Sequence, residues 1–325
     1  VSQHRRANVP AAGIAAKAVV AAAQARPWAD QDWGRRLVAG FPDRLRGALD
    51  RWQLRVEGLH LDGAGLPVLV VRRPDGEPGV LKFDGAGTDL AALVPALRAA
   101  AGRSYVRLLD HDEGHGAVLL EHLGPALASQ VPDEAEQVRL IAAVLPQAWD
   151  AVSPALPAHP EPARKATDLG ELVRQARDQG LADDAVLARA AGLADELATS
   201  PGPRQVMVHG DAHALNVLRR GPHEAPQWVL IDPDGPVGGC EAEYDVGVVL
   251  RDQQRTIAAL DDRFGPGAGR RWHRRLVEAT AADVGLDAER VAAWAYLERV
   301  TTGIWLRRLG HDSEGEVWLS SATRL

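Results

Sequence analysis

Apolar and polar positions change their period along the chain, and the changes divide it. Apolar residues run from Pro10 to about Ala25 as one helix, with Pro10 in the first turn, where its missing N–H costs nothing. Asp30 to Trp52 is a second helical region, interrupted near Pro42. From Trp52 the pattern turns strand-like. Leu54, Val56, Leu59 and Leu61 introduce it, and Pro67–Val71 is a short apolar run bounded by turns. Pro74-Asp75-Gly76 marks a hairpin turn, after which Val80–Phe83 returns as a strand. A helix follows from about Thr88 to Ala101. Two further strands, Val106–Asp110 and Ala117–Leu123, meet at Glu113-Gly114-His115-Gly116.

Beyond Pro125 the spacing is mostly helical, over about Asp133–Val152, Asp168–Thr199, Glu241–Phe264, Gly269–Val284 and Asp287–Leu309, with a short helix within Ser313–Leu325. Residues 154–162 form a Pro-rich loop between helices. No internal repeat is visible. The expected organisation is a sheet with one inserted helix over residues 1–120, a hinge at 121–125 and a helical portion over 126–325.

One stretch inside the helical half breaks the pattern and carries chemistry. Val206-Met207-Val208 is an apolar run that delivers a polar loop, H-G-D-A-H-A-L-N, in which Asp211 and Asn216 lie five residues apart. A second apolar run, Trp228 to Ile231, ends on Asp232. Two short strands joined by a tight turn would bring Asp211, Asn216 and Asp232 to one mouth. Phosphoryl transfer from a nucleotide needs such a set. One acid accepts the proton of the acceptor hydroxyl, while an Asn and an Asp hold magnesium against the phosphates. Protein kinases space their catalytic Asp and Asn identically, as D-x-x-x-x-N. Asp211 is therefore the expected catalytic acid-base group. Asn216 and Asp232 are the expected Mg2+ ligands, as hard oxygen donors for an ion that keeps some of its water. The plainer alternative for each is turn chemistry, at which Asp and Asn are common.

Gly210-Asp211-x-His213 also suits a two-metal hydrolase, which would need further His and Asp clusters. Asp110-His111-Asp112 is the only candidate to complete one, and no G-N-H-[DE] segment exists. Phosphoryl transfer is the better supported reading.

H-G-D-x-H-x-x-N-V-L followed by I-D resembles the aminoglycoside phosphotransferase family, which is similar in fold to protein kinases. Val106–Asp112, Val118–Leu123 and I-D-P-D-G at 231–235 resemble its streptomycin 6-phosphotransferase and hydroxyurea phosphotransferase branch, and the resemblance covers roughly residues 50 to 310. It implies an α+β, bilobal, protein-kinase-like fold with ATP or GTP as co-substrate. Lys82, on an apolar strand, would then contact the nucleotide phosphates. Its usual partner, a Glu on the following helix, is missing here, and Asp89 is the only acid offered, shorter by one methylene. Glu121 and Leu123 would bind adenine in the hinge, mainly through main-chain groups. Gly63 and Gly65, in Asp62-Gly63-Ala64-Gly65, would form a small turn over the phosphates, with an ordinary hairpin loop as the equal alternative. Asp245 would brace the catalytic loop, His209 would orient it through hydrogen bonds, and His213 would line it. Asp234, Glu241 and Glu243 are acids near the same mouth that could meet an ammonium or guanidinium group of the acceptor; the plainer alternative is a solvated loop and helix N-terminus, where acids are favoured by the helix dipole. Glu298, Glu314 and Glu316 are weaker candidates for that role.

Composition narrows the remaining options. At 325 residues the chain can bury a substantial core. Its 44 acidic against 37 basic residues, a net charge of −7, argue against a nucleic-acid binder and mildly favour a cationic small molecule. One cysteine, Cys240, excludes an intrachain disulfide framework and suits a reducing cytosol. His4-Arg5-Arg6, the apolar stretch from Val9 to Ala23 and Ala23-Gln24-Ala25 imitate an export signal, but Lys17 interrupts the run and Ala dominates it. A cytoplasmic protein is expected, with no membrane span, as a monomer or homodimer. The acceptor expected from the resemblance is a cationic antibiotic such as streptomycin. The alternatives are another small molecule (a nucleoside or peptide antibiotic, hydroxyurea, a sugar or an amino alcohol) and a nucleotide-binding pseudokinase that regulates a partner.

Overall fold

Alternating apolar positions build the first sheet of the computed structural model, which describes residues 16–61, 65–85, 89–153, 163–234 and 239–325. The chain divides into two compact units, one formed within residues 1–102 and 106–123 and the other from 103–105 with 124–325.

In the first unit, α1 (Ala16–Gln24) and α2 (Asp32–Trp52) precede the strands β1 (Arg55–His60), β2 (Val68–Arg72) and β3 (Pro78–Phe83). Then come α3 (Leu90–Ala100), β4 (Leu108–Asp112) and β5 (Ala117–Glu121). The five strands are antiparallel in the order β1-β2-β3-β5-β4. Leu69 and Val71 of β2, and Leu81 and Phe83 of β3, are buried in one core with Phe41, Leu45 and Ala48 of α2. Lys82 falls between Leu81 and Phe83, on the half-buried face, opposite Val118 of β5.

Three details differ from expectation. The helix α2 continues through Pro42 rather than breaking there. Proline removes one helical hydrogen bond, but the stripe of Phe41, Leu45 and Ala48 is fully buried, and Phe41 meets Phe83 edge to face at 5.2 Å. Packing outweighs the lost bond. The strand expected at Val106–Asp110 begins two residues later, because Glu121 N–H bonds Arg107 O at 3.0 Å and the register slips between Leu108 and Asp110. The helix expected from Thr88 begins at Leu90, where Asp89 caps it.

The second unit is mostly helical. After α4 (Leu127–Gln130) and α5 (Glu134–Val152), the single helical region expected over Asp168–Thr199 is two helices, α6 (Arg164–Asp178) and α7 (Asp184–Thr199). Gly180 takes a φ of 62°, and Asp183 accepts from the N–H groups of Ala185 and Val186, so one helix ends and the next is capped. The short strands β6 (Gln205–Val206), β7 (Val217–Arg220), β8 (Gln227–Leu230) and β9 (Cys240–Glu241) follow. Here the expected strand pairing is corrected. Val206 pairs with Cys240 rather than with the 228–231 run, and the hairpin is β7 with β8. The region expected as one helix over Glu241–Phe264 is β9, α8 (Ala242–Val249) and α9 (Gln254–Phe264). The chain ends with α10 (Ala268–Val284), α11 (Ala288–Arg308) and α12 (Asp312–Ala322). Pro10–Ala15 of the first expected helix, and the Pro-rich loop at 154–162, lie outside the described residues. Among the described residues no helix is long and apolar enough to cross a membrane.

The helix α11 is buried on nearly every side, with Trp294, Leu297, Val300 and Ile304 wholly inside. It is the post against which α8 is set. The contact is close because Gly247 of α8 has no side chain: a Cβ there would lie 2.4 Å from Trp294 Cβ and 2.9 Å from Ala295 N. Neither neighbour is the flexible tip of a side chain. Gly247→Ala is accordingly expected to lower stability by at least the ~1–3 kcal/mol typical of overpacking, read by urea unfolding. A variant as stable as the parent would show that the two helices separate freely.

Candidate active site

The chain from Val208 to Asp211 turns sharply inside the protein, and the turn needs acceptors for its backbone. Gly210 has a φ of 82°, in the left-handed region that favours glycine, and a Cβ there would press to 3.1 Å from Asp234 Cβ. The N–H groups of His209 and Gly210 both donate to the carboxylate of Asp245, at 2.8 Å each. Trp149 Nε1 of α5 donates to the same carboxylate at 2.8 Å. Asp245 is fully buried. Burial pushes its carboxyl up, and the nearby His209 and the three N–H donors pull it back. Asp245 thus joins the 209–210 turn to α5 and α8.

His209 is also fully buried and lies parallel to Tyr105, with ring centroids 6.0 Å apart. Its Nδ1 accepts from Asp211 N at 3.2 Å, so Nε2 carries the proton and donates to Ile231 O at 2.8 Å. Burial lowers the imidazole below its ordinary value against the pull of Asp245 and Asp211, which keeps this tautomer neutral. Asp234 N–H donates to His209 O at 2.8 Å. One imidazole therefore ties the 209–211 turn to the strand that leads into Asp232.

Asp211 and Asn216 are brought into direct contact. Asn216 Nδ2 donates to both Asp211 O and Asp211 Oδ2 at 3.0 Å, which leaves Oδ1 as the oxygen that Asn216 can offer a cation. His213 Nε2 lies 3.3 Å from Asp211 Oδ2, and Leu215 N donates to His213 Nδ1 at 3.3 Å. The other carboxylate oxygen, Oδ1, accepts from Arg251, which follows α8. Burial works to raise the Asp211 carboxyl, but His213, Arg251 and His209 outweigh it and hold it well below the usual carboxylate range. Burial likewise lowers His213, and its bond to Asp211 more than reverses that. Asp211 is ionised at any physiological pH.

Asn216 precedes β7 and Ile231 follows β8, and Ile231 N–H donates to Asn216 O at 2.9 Å, so the ladder extends one step beyond the strands. Asp232 comes next, with a φ of 52° immediately before Pro233. A residue before proline is normally extended, and holding one in the left-handed region costs about 1–3 kcal/mol. The hairpin thus sets Asn216 at one end of its mouth and a strained Asp232 just past the other. An amide oxygen and a carboxylate are too few donors for a cage built by protein alone. They suit Mg2+, which keeps several waters and takes the rest of its ligands from phosphates.

The remaining acids sort by burial. Asp234 is exposed, with Lys165 Nζ at 3.8 Å. Glu241 does not face a mouth, contrary to expectation. It is 1% exposed, accepts twice from Arg290 Nη2 at 2.6 and 2.7 Å, and also takes the N–H groups of Gly202 and Trp294. Glu243 is buried beside it, and burial pushes its carboxyl up. Glu241 thereby ties β9 to Arg290 and Trp294 of α11, whereas Glu243 Oε2 is buried without a hydrogen-bond partner. Glu298 is also committed, with Oε2 2.8 Å from Arg251 Nη1. Glu316 pairs with Arg307, and Glu314 lies 4.0 Å from His311, both on exposed parts of α12.

In the first unit, Asp89 is corrected from a partner of Lys82 to a helix cap, its Oδ1 accepting from Ala91 N at 2.9 Å and Ala92 N at 3.3 Å. Its position at the N-terminus of α3, with no acid further along the helix, explains why. Glu121 turns its carboxylate to Arg107 N at 2.6 Å while its own N–H donates to Arg107 O at 3.0 Å, and Leu123 is the last residue of this unit. Gly65 is half-buried, whereas Gly63 lies outside the described residues. Asp110 accepts from Trp52 Nε1 at 2.7 Å and Asp112 from His115 Nδ1 at 2.7 Å, so neither is spare for a metal. Among the described residues no three His, Cys, Asp or Glu side chains gather as a metal site.

Arg251, Trp149 and Lys165 were not visible as site residues in the sequence. They come from separate helices or their ends, and no spacing links them to the loop.

A lysine on a strand of an antiparallel sheet, a helical unit with the H-G-D loop, and a hairpin flanked by Asn216 and Asp232 define a small-molecule kinase of protein-kinase-like fold. The aminoglycoside/hydroxyurea antibiotic resistance kinase family matches residues 51–310, and the chain belongs to that family. It is 32% identical to streptomycin 6-kinase of Streptomyces griseus, over 84% of this chain and 85% of that one. It is 34% identical to hydroxyurea phosphotransferase of Kitasatospora aureofaciens, over 84% of this chain and 75% of the relative. Its fold is similar to that of an ethanolamine kinase of Plasmodium vivax, with a TM-score of 0.57 and 12% identity over 90% and 89% of the two chains.

Two outcomes are expected from these contacts. Asp245→Ala should orphan three buried donors at about 1–3 kcal/mol each, a loss of several kcal/mol in urea unfolding. Near-parental stability would show that the loop does not depend on this carboxylate. Asp89→Asn keeps a capping side chain and should leave ATP KM unchanged, while Asp89→Ala should cost about 1 kcal/mol of stability. A tenfold rise in ATP KM for the Asn variant would return Asp89 to the side of Lys82.

Proposed function

We propose that this enzyme transfers the γ-phosphate of ATP or GTP to a hydroxyl of a streptomycin-like aminoglycoside and so inactivates it. The observation that carries the reading is the loop itself. Asp211 is ionised, held at both oxygens, and in contact with an Asn whose remaining oxygen suits a magnesium ion.

In the reaction, the acceptor oxygen forms a bond to the γ-phosphorus as the bond to the leaving ADP oxygen breaks, and the acceptor's proton passes to Asp211. A carboxylate of such low proton affinity is a weak base. That is adequate, because the hydroxyl becomes acidic only as the new bond forms, and phosphoryl transfer depends mainly on positioning and charge neutralisation. Bound magnesium, held by Asn216 Oδ1 and Asp232, would neutralise phosphate charge. Lys82 would add a point charge on the phosphates, the main chain at Glu121 and Leu123 would receive the base, and Gly63 and Gly65 would cover the phosphates. Asp234, exposed beside Lys165, is the acid left to meet a cationic acceptor.

A second acceptor is favoured by a specific finding. The hydroxyurea phosphotransferase relative is as similar as the streptomycin one, so hydroxyurea is the runner-up within the same chemistry. The test is magnesium–ATP turnover against streptomycin, hydroxyurea and other antibiotics, each product read by its phosphate mass gain. Asp211→Ala is expected to keep nucleotide binding and lose about 10²–10⁴ of the transfer rate, as for a missing general base. Residual turnover near the parental rate would sink the assignment of Asp211. A gain on hydroxyurea alone would keep the kinase and replace the acceptor.

A further inference from the structure

Asp211 is not held by its own loop alone. Asn216 Nδ2 and His213 Nε2 approach only Oδ2, and both belong to the 211–216 loop. The opposite oxygen, Oδ1, accepts from Arg251 Nη2. Arg251 in turn places Nη1 2.8 Å from Glu298 Oε2 and Nε 3.6 Å from Asp252 Oδ1. Only 12% of the Arg251 side chain and 6% of the Glu298 side chain are exposed. Glu298 stands in the middle of α11, whose neighbours Leu297, Arg299 and Val300 are wholly buried, so it is among the most firmly placed acids in the unit.

We infer that Arg251, clamped by Glu298, is a positioning residue that sets the rotation of the Asp211 carboxylate and so aims it at the acceptor hydroxyl. The physical reason is torsional. The last torsion of an Asp side chain joins sp3 to sp2 carbon and is broad and roughly two-fold. Contacts on one oxygen leave the group free to pivot about that contact, and a donor on the second removes the freedom. Arginine suits the task because its planar guanidinium offers separate N–H groups to two carboxylates in a fixed fork. Lysine, a point charge on a flexible stem, can satisfy either carboxylate but does not hold the angle between them. The clamp links α11 to the Asp211 carboxylate.

The inference rests on Asp211 as acceptor of the hydroxyl proton, and the test separates the two. Purified full-length Arg251→Met and Arg251→Lys are assayed with magnesium ATP and streptomycin, or with hydroxyurea if only that turns over, alongside Asp211→Ala. Misplacing a catalytic group by about 1 Å costs on the order of a hundredfold. Arg251→Met should therefore lose about a hundredfold in kcat with ATP KM within about twofold, and Arg251→Lys should recover about tenfold of that loss. A general loss of structure would not give that split or that recovery. If the Met variant does not fold, the Lys variant decides: parental kcat in it overturns the inference. Loss of kcat together with a matching rise in ATP KM in both variants overturns it as well. A crystal structure of Arg251→Lys supplies a reading independent of any acceptor. A rotated Asp211 carboxylate supports the clamp, and an unmoved one refutes it. Asp211→Ala with parental turnover defeats the underlying reading. An inactive Asp211→Ala beside fully active Arg251 variants defeats only the clamp.

Discussion

A single buried carboxylate makes the catalytic turn tenable. The backbone at His209 and Gly210 points two consecutive N–H groups inward, where water cannot satisfy them, and Asp245 accepts both. Such groups left bare would cost more than the turn could recover. The same carboxylate takes Trp149 of α5, and it sits on α8, which Gly247 allows to lie close against α11. Two helices and the H-G-D loop therefore share one point of attachment, and a third helix packs two residues away at Gly247. Burying that charge is expensive, and the expense is offset only because every contact to it is a charge-assisted hydrogen bond.

Around this point the electrostatics separate into two layers. His209, beneath the loop, is buried and neutral and works as a directional hydrogen-bonding unit, with one nitrogen accepting and the other donating. Asp211, at the surface of the loop, is charged and surrounded by His213 and Arg251. The outer layer carries charge, and the inner layer holds the geometry of the turn. The backbone strain at Asp232 lies where the two layers meet the hairpin, as local strain commonly does at functional positions.

The grouping of Asp211, Asn216 and Asp232 was legible from spacing because they belong to one local device. A loop of fixed length followed by a hairpin brings them together, and that geometry is written over some twenty consecutive residues. The supporting acids were not legible in the same way. Glu241, Glu243 and Asp89 have the composition and neighbourhood of site residues, yet two are buried and one caps a helix. An isolated acidic letter does not say whether it faces water, an arginine or a row of N–H groups. The Pro42 break failed for a related reason, since intrinsic helix preference is weaker than a buried aromatic face.

By itself the sequence determined the kind of protein: a strand-rich first half, a helical second half, and one loop with the spacing of a kinase. Those features survive because hydrophobic period and turn chemistry act over a few residues and are decided locally. Tertiary structure alone decided which strand Val206 joins, that Arg251 links Glu298 to the Asp211 carboxylate, and which acids are spent inside the fold. Those contacts join residues 34 to 49 positions apart, where the chain between them has no local preference and the outcome depends on which burial costs least.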